Sequence, residues 1–393
     1  MTNWVTWAYN WYVQRWPWAN VGIQSWGHNL RQGFTWDNDC FLDDQLAHPY
    51  HGSFYHNAAR AGGYGFWSSF PFVAAGSASW ELFGETIQAS LNDLINTTMG
   101  GMALGEVSYR LSALIGSRSD GRWSGPGRMA GAFVVSPWAA TYDLLGGDAW
   151  KRSDPTPGPA GVPIRFSVGR QERQPFMELA LQYGDAFGSG FTRPYDAFEF
   201  RVRVSPGSDT IVQHVGISGL LVRHPLSRSQ EGQLFFGLFQ HYQYDEVPGI
   251  KSSGNSMSAA LIYQRNLDAR TRLNLSAHAE GVVLGAISSD HGHYWRRDFD
   301  LGPGVGARAG VSFTRDGREW FRLDSRLLWL HSIHGSDANH LMSLVRVGAA
   351  LPVAGAFGVG GDLALTTRHS RYRDHASVTR RAPELRAYLS VAP

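Results

Sequence analysis

An all-β transmembrane barrel of about twelve antiparallel strands in a meander, with an N-terminal helical segment plugging or capping its lumen, is the fold class this sequence predicts. Three observations carry the prediction. From about residue 125 onward, apolar and polar residues alternate along segments of about 9–12 residues, long enough for a tilted bilayer crossing. The polar face of those segments carries several charges each, too many for a packed core and natural for a polar lumen. Between Ser79 and Ile115 the periodicity becomes helical, and a helix cannot replace a wall strand.

Composition agrees with this class. Of 393 residues only 17% are charged, whereas 13% are aromatic and 46 are glycine. Soluble domains usually carry about 25% charged residues. Lys+Arg 35 against Asp+Glu 33 leaves a formal charge of +2, which excludes the clustered basic excess of a nucleic-acid binder. A single cysteine, Cys40, excludes an internal disulfide framework and a Cys-rich metal centre. No stretch approaches the ~18 apolar residues of a membrane-spanning helix. The opening Met1-Thr2-Asn3-Trp4-Val5 is not a leader peptide, so an exported protein is expected to have lost its signal.

In chain order, residues 1–35 form a Trp-rich segment, with Trp4, Trp7, Trp11, Trp16, Trp18 and Trp26 suited to an interface. Residues 36–125 form the helical, plug-like region. Phe83, Ile87, Leu91, Leu94 and Ile95 make an apolar stripe opposite Glu81, Glu85, Gln88, Asn92 and Asn96. Ser90-Leu91-Asn92-Asp93 has capping-box spacing and starts a fresh helix, which Gly100-Gly101 is expected to interrupt. Residues 126–393 form the barrel. Phe198, Phe200, Val202 and Val204 alternate with Glu199, Arg201 and Arg203; Leu385, Ala387, Leu389 and Val391 alternate with Glu384, Arg386, Tyr388 and Ser390. Phe321, Leu323 and Leu327 alternate with Arg322, Asp324 and Arg326. Pro206-Gly207-Ser208-Asp209, Asp316-Gly317 and Gly335-Ser336-Asp337 punctuate the strands as turns. Tyr183, Tyr195, Tyr242, Tyr244, Trp320, Trp329 and Tyr388 sit near strand ends and suggest interfacial girdles.

Between residues 36 and 115 the motifs are distinctive: Trp36-Asp37-Asn38-Asp39, His48-Pro49-Tyr50-His51-Gly52-Ser53, Trp80-Glu81, Asn92-Asp93-Leu94-Ile95, Gly100-Gly101 and Leu104-Gly105-Glu106 with Tyr109-Arg110. In order and spacing they resemble the bacterial family known as domain of unknown function 3943, a group expected to form outer-membrane barrels. The resemblance implies the architecture and a Gram-negative outer-membrane location; it implies no activity. At Arg128-Met129 and Ser136-Pro137 the chain departs from the family pattern of an Arg-Glu pair and an Asn-Pro.

The densest polar cluster runs from Asp37 to Arg60. Its leading reading is structural: Arg60, Glu81, Glu85, Asn92, Asp93, Glu106 and Arg110 of the plug are expected to meet the inward Arg201, Arg203, Arg322, Asp324, Arg326 and Arg386 of the wall. No metal or other cofactor is expected, although Asp37, Asp39, Asp43, His48 and His51 offer imidazole and carboxylate ligands. Pro49 is expected to open a helix with His48 near its N-cap. The role expected of such a barrel is an envelope scaffold or the gated transport of a small solute or lipid, and the competing reading is a lipid- or lipopolysaccharide-modifying hydrolase with His48, His51, Ser53 and Asp39 as catalytic candidates. Asp37-Asn38-Asp39-Cys40-Phe41 faintly resembles the opening of outer-membrane lipid A deacylases, which would imply calcium as cofactor. No Gly-x-Ser-x-Gly elbow is present. Outer-membrane lipid and lipopolysaccharide are the expected partners of a monomer that binds no nucleic acid.

Overall fold

The computed structural model describes residues 2–116, 125–145, 162–172, 174–188, 190–206, 208, 210–247, 249–291 and 298–392. The chain divides into two compact units, Met1–Gly158 and Pro159–Pro393.

The first unit is helical. Its helices are α1 (Thr2–Ala8), α2 (Ile23–Gln32), α3 (His48–Ala61), α4 (Phe66–Phe83), α5 (Leu91–Gly116), α6 (Pro126–Val135) and α7 (Pro137–Leu145). Ser90 does begin α5: its Oγ accepts the Asp93 N–H at 3.1 Å. The Ser90 N–H is taken by Glu81 Oε2 at 2.9 Å, so the reciprocal half of the cap comes from the preceding helix. Glu81 and Glu85 do not share a helix face, because α4 ends at Phe83 and Glu85 lies beyond Gly84.

Two local expectations are corrected. Gly100-Gly101 does not interrupt α5, which runs unbroken through it. The glycines serve a crossing: a Cβ on Gly52 would stand 1.9 Å from the Thr97 carbonyl oxygen, and one on Gly101 2.5 Å from Gly52 Cα. Backbone-to-backbone approach of α3 and α5 therefore requires both residues to lack side chains. His48 and Pro49 do stand in the first turn of α3, but the helix does not start afresh there. A π-helical turn, Asp43–Ala47, leads straight into α3, with Ala47 and His48 both in right-handed helical backbone.

The second unit is all β. In chain order its strands are β1 (Ile164–Gln171), β2 (Gln174–Tyr183), β3 (Phe198–Val204), β4 (Val212–Arg228), β5 (Gly232–Val247), β6 (Ile250–Asn266), β7 (Thr271–Ser288), β8 (Phe299–Arg315), β9 (Arg318–His331), β10 (Ala338–Ala354), β11 (Phe357–Tyr372) and β12 (Val378–Val391). Among the described residues these twelve form an antiparallel meander, closed where Phe166–Gln171 of β1 pairs with Val391–Arg386 of β12. Strands β4 to β8 run 16–18 residues, longer than the about 9–11 a bilayer crossing needs. They therefore extend past the apolar layer.

The barrel begins at Ile164, not near residue 126; residues 126–145 are helical. Pro126 supplies a φ suited to a first helical turn, and Met129–Val135 lacks the polar alternation a wall strand needs. The β8–β9 hairpin turns at Asp316 (φ 52°) and Gly317 (φ 75°), the left-handed pair of a two-residue type I′ loop. Gly207 and Asp209 of the expected Pro206–Asp209 turn lie outside the described residues.

Strand parity decides what each face meets. Along β12, Leu385 is 60% exposed, Arg386 1% and Leu389 68%. The same inversion holds on β11, where Leu363 and Leu365 are exposed while Asp362 and Thr366 are buried. A soluble barrel would bury the leucines, so this wall is built to face hydrocarbon. The girdle expectation is largely corrected. Tyr183, Tyr195, Tyr242, Tyr244 and Tyr388 are buried, and Trp329 is exposed on the wall. Tyr388 shares its parity with Glu384 and Arg386, which turns it inward.

Candidate functional site

Three segments of the helical unit bring carboxylates around one imidazole. Asp39 comes from the loop before the π-turn, His48 from the start of α3, and Asp93 from the first turn of α5. Ligand atoms of these three residues all lie within 4.8 Å of one another. His48 Nε2 is 3.4 Å from Asp93 Oδ2, and His48 Nδ1 is 3.3 Å from Thr97 Oγ1. Asn92 ties Asp37 to the group: its Nδ2 donates to Asp37 Oδ1 at 2.7 Å, and its Oδ1 accepts the Asp37 N–H at 3.1 Å. Asp44, fully buried, accepts the Asn96 amide at 2.8 Å.

Crowding of carboxylates dominates the electrostatics. Burial, followed by the Asp37 carboxylate, pushes Asp93 and Asp44 up from the ordinary range. Asp39 is exposed as a residue, yet desolvation of its carboxyl and then Asp37 push it up to about 7. Burial and Glu85 raise Glu81 as well. Asp37 alone is held low against its burial, by hydrogen bonds from Asp93 and Asn92. The arrangement thus favours protons or positive charge at Asp39 and Asp93.

The other sequence candidates are directed elsewhere. Asp43 is exposed and accepts from Cys40 Sγ at 3.0 Å. His51 stacks edge-on against Trp80, 4.8 Å between ring centres, and bonds the Tyr55 hydroxyl at 3.1 Å. Because that hydroxyl donates to Asn3 Oδ1, His51 Nε2–H is the donor to it, and burial pushes the imidazole down. Ser53 Oγ donates to the Tyr50 carbonyl at 2.6 Å, so it does not sit beside a base. Of the hydrolase candidates, then, only Asp39 and His48 come together.

Glu106 forms a second, self-contained centre. Its carboxylate takes Arg110 Nε at 2.7 Å, Arg60 Nε at 2.9 Å and His56 Nε2 at 2.9 Å, all within the helical unit. The two guanidiniums hold it below the usual carboxylate range in spite of burial. The sequence assigned Arg60, Glu106 and Arg110 to docking against the wall; these partners come instead from one unit, because α3 and α5 cross so closely.

Inside the barrel, the wall arginines find wall carboxylates. Glu178 on β2 lies 3.3 Å from Arg386, 3.9 Å from Arg203 and 4.0 Å from Arg201. Glu384 lies 3.6 Å from Arg203, and Asp362 3.5 Å from Arg386. Other pairs join strands that are not neighbours and so cross the interior. Arg165 on β1 reaches Glu319 on β9 at 3.4 Å, and Arg322 on β9 reaches Glu199 on β3 at 3.1 Å while also holding Asp324 at 2.6 Å. A further layer joins Arg326 on β9 to Glu280 on β7 at 2.8 Å and to Gln243 on β5 at 2.7 Å. A third joins His340 to Asp300 at 3.0 Å and Arg368 to Asp290. A cavity of about 10 Å³ among Arg165, Arg201, Glu319 and Arg346 leaves room for about one water.

Residue-by-residue reading of the sequence offered Asp44 only as an alternative to Asp43, put Glu280 on the polar face of its strand without a partner, and gave no role to Thr97, Glu178 and Asp362. Glu280 alternates with Ala279 and Gly281 along β7, so its inward parity was readable. Asp44 was not distinguishable from Asp43, since only the π-turn decides which of the two points in.

A closed meander with apolar residues outside and paired charges inside defines a transmembrane β-barrel of the outer-membrane type, here with an N-terminal helical segment. Residues 33–138 match the family described as Domain of unknown function (DUF3943), which bears out the resemblance carried by the motifs between Trp36 and Arg110. Similar solved structures include the KdgM porin, 9% identical, covering 58% of this chain and 98% of that one at a TM-score of 0.27. The outer membrane channel DcaP of Acinetobacter baumannii is 7% identical over 59% of this chain and 96% of its own, TM-score 0.23. The outer membrane enzyme PagL is 10% identical over 59% and 99%, TM-score 0.20. No curated protein matches the chain.

Proposed function

We propose that the protein is a closed outer-membrane barrel that acts as an envelope scaffold, anchoring its helical unit to the membrane without conducting solutes through an open pore. The observation that carries this reading is the set of ion pairs crossing the barrel interior: Arg165 to Glu319, Arg322 to Glu199, and Arg326 to Glu280 and Gln243. Of these, Arg326 and Glu280 are buried and paired on more than one side, and such charges are costly to separate, so thermal motion does not open that layer. The exposed leucines and valines of the wall supply the contact with outer-membrane lipid and lipopolysaccharide. The hydrolase reading loses support because Ser53 and His51 are committed to Tyr50 and Tyr55.

Purified full-length protein in planar bilayers is expected to give no steady current. Replacing Arg165, Arg322 and Arg326 together by alanine, which removes all three of these crossing sets, is expected to produce measurable ion conductance. A stable ohmic conductance from the unaltered protein would overturn the scaffold reading.

A further inference from the structure

We propose that Asp39, His48 and Asp93 bind a divalent transition-metal cation of the zinc class. Their ligand atoms lie within 4.8 Å of one another, so an ion about 2.0–2.2 Å from each needs only small side-chain rotations. The second shell is compatible with metal binding: Thr97 Oγ1, 3.3 Å from His48 Nδ1, can accept an Nδ1–H and so free Nε2, which lies 3.4 Å from Asp93 Oδ2, for a metal.

Two further observations point to a cation. Glu81 is 3% exposed and its Oε1 has no hydrogen-bond partner among the described residues, although it lies within electrostatic reach of Asp39 and Asp93. Among the described residues, Asp39, Asp44, Glu81, Glu85 and Asp93 have no arginine or lysine within salt-bridge distance, and His48 is their one ion-pair partner. Five carboxylates around one imidazole call for positive charge. The donor set selects its kind: imidazole with carboxylate suits zinc or iron, whereas calcium takes 6–8 oxygens. Asp39 is exposed, His48 half-buried and Asp93 buried, which gives an entry path from the surface inward.

The test is zinc titration by calorimetry of full-length protein in detergent after chelator treatment, with calcium titrated in parallel. One zinc per chain is expected, bound far more tightly than calcium. His48→Gln and Asp93→Asn should each weaken binding at least about tenfold, while Asp43→Asn should not. Should either variant fail to give the native circular dichroism spectrum, Asp39→Asn on the exposed side provides the same reading. Zinc should also raise the melting temperature of the unaltered protein but not of the variants. Three results overturn the proposal: no zinc uptake by the unaltered protein, uptake unchanged in His48→Gln and Asp39→Asn, or preference for calcium.

Discussion

His51 illustrates how a residue chosen for its chemistry can serve packing instead. Enclosed by Phe54, Tyr55 and Trp80, its imidazole is pushed down from 6.5 to about 3, first by burial and then by the nearby His48. The folded state holds this ring neutral, so its contribution to stability is complete above pH 6.5 and is lost as pH falls from there toward 3. Each bound proton weakens the fold by about 1.4 kcal/mol per pH unit in that window. Replacing His51 by glutamine should therefore flatten the pH dependence of denaturant stability by about that slope between about pH 6 and 4, as followed by tryptophan fluorescence. Unchanged slopes would show that the ring is charged in the native state. Sequence could name His51 as ionisable, but not say that Trp80, 29 positions away, would enclose it.

Among the secondary-structure elements, the α3–α5 crossing decides where the polar groups of the helical unit meet. Gly52 and Gly101 touch through their backbones, and a Cβ on Gly105 would stand 2.6 Å from His56 Cβ. This approach brings Glu106 to His56 and Arg60, and Thr97 to His48. Gly52→Ala must push α5 away by more than a side-chain adjustment, because the obstacle at 1.9 Å is the Thr97 carbonyl. A loss of about 3 kcal/mol is expected, measurable as a lowered thermal midpoint in near-ultraviolet circular dichroism. An unchanged midpoint would mean that the helices can separate freely. The sequence showed two glycines and read them as a break. Helix breaking and helix crossing use the same residue, and only a neighbouring helix distinguishes them.

For the whole molecule, the strongest claim is that the barrel wall meets lipid. Leu385 lies on the exposed face of β12 between inward Glu384 and Arg386. An arginine there would have to enter hydrocarbon, at a cost of about 2–4 kcal/mol near the bilayer midplane. Leu385→Arg should therefore lower the yield and stability of folding into lipid vesicles, measured by heat-modifiable gel mobility. If that variant folded as well as the unaltered chain, Leu385 would lie outside the bilayer. This level was also the most legible in advance: the period-two alternation read in β3, β9 and β12 separates the outward from the inward side chains there, because parity survives whatever the strand pairs with.

By itself, then, the sequence determined the two periodicities, and with them a barrel in which Leu327, Leu385 and Leu389 face out while Arg203, Arg326 and Arg386 face in, preceded by a helical segment capped at Ser90. These are local properties, set within a few residues by side-chain direction along a strand or helix. Tertiary structure alone decided that α4 stops at Phe83, that Glu106 is neutralised within its own unit, and that Asp39, His48 and Asp93 converge while His51, Ser53 and Asp43 turn away. Those outcomes depend on groups from separate segments competing for one desolvated volume, and no repeat along the chain records which of them is brought close.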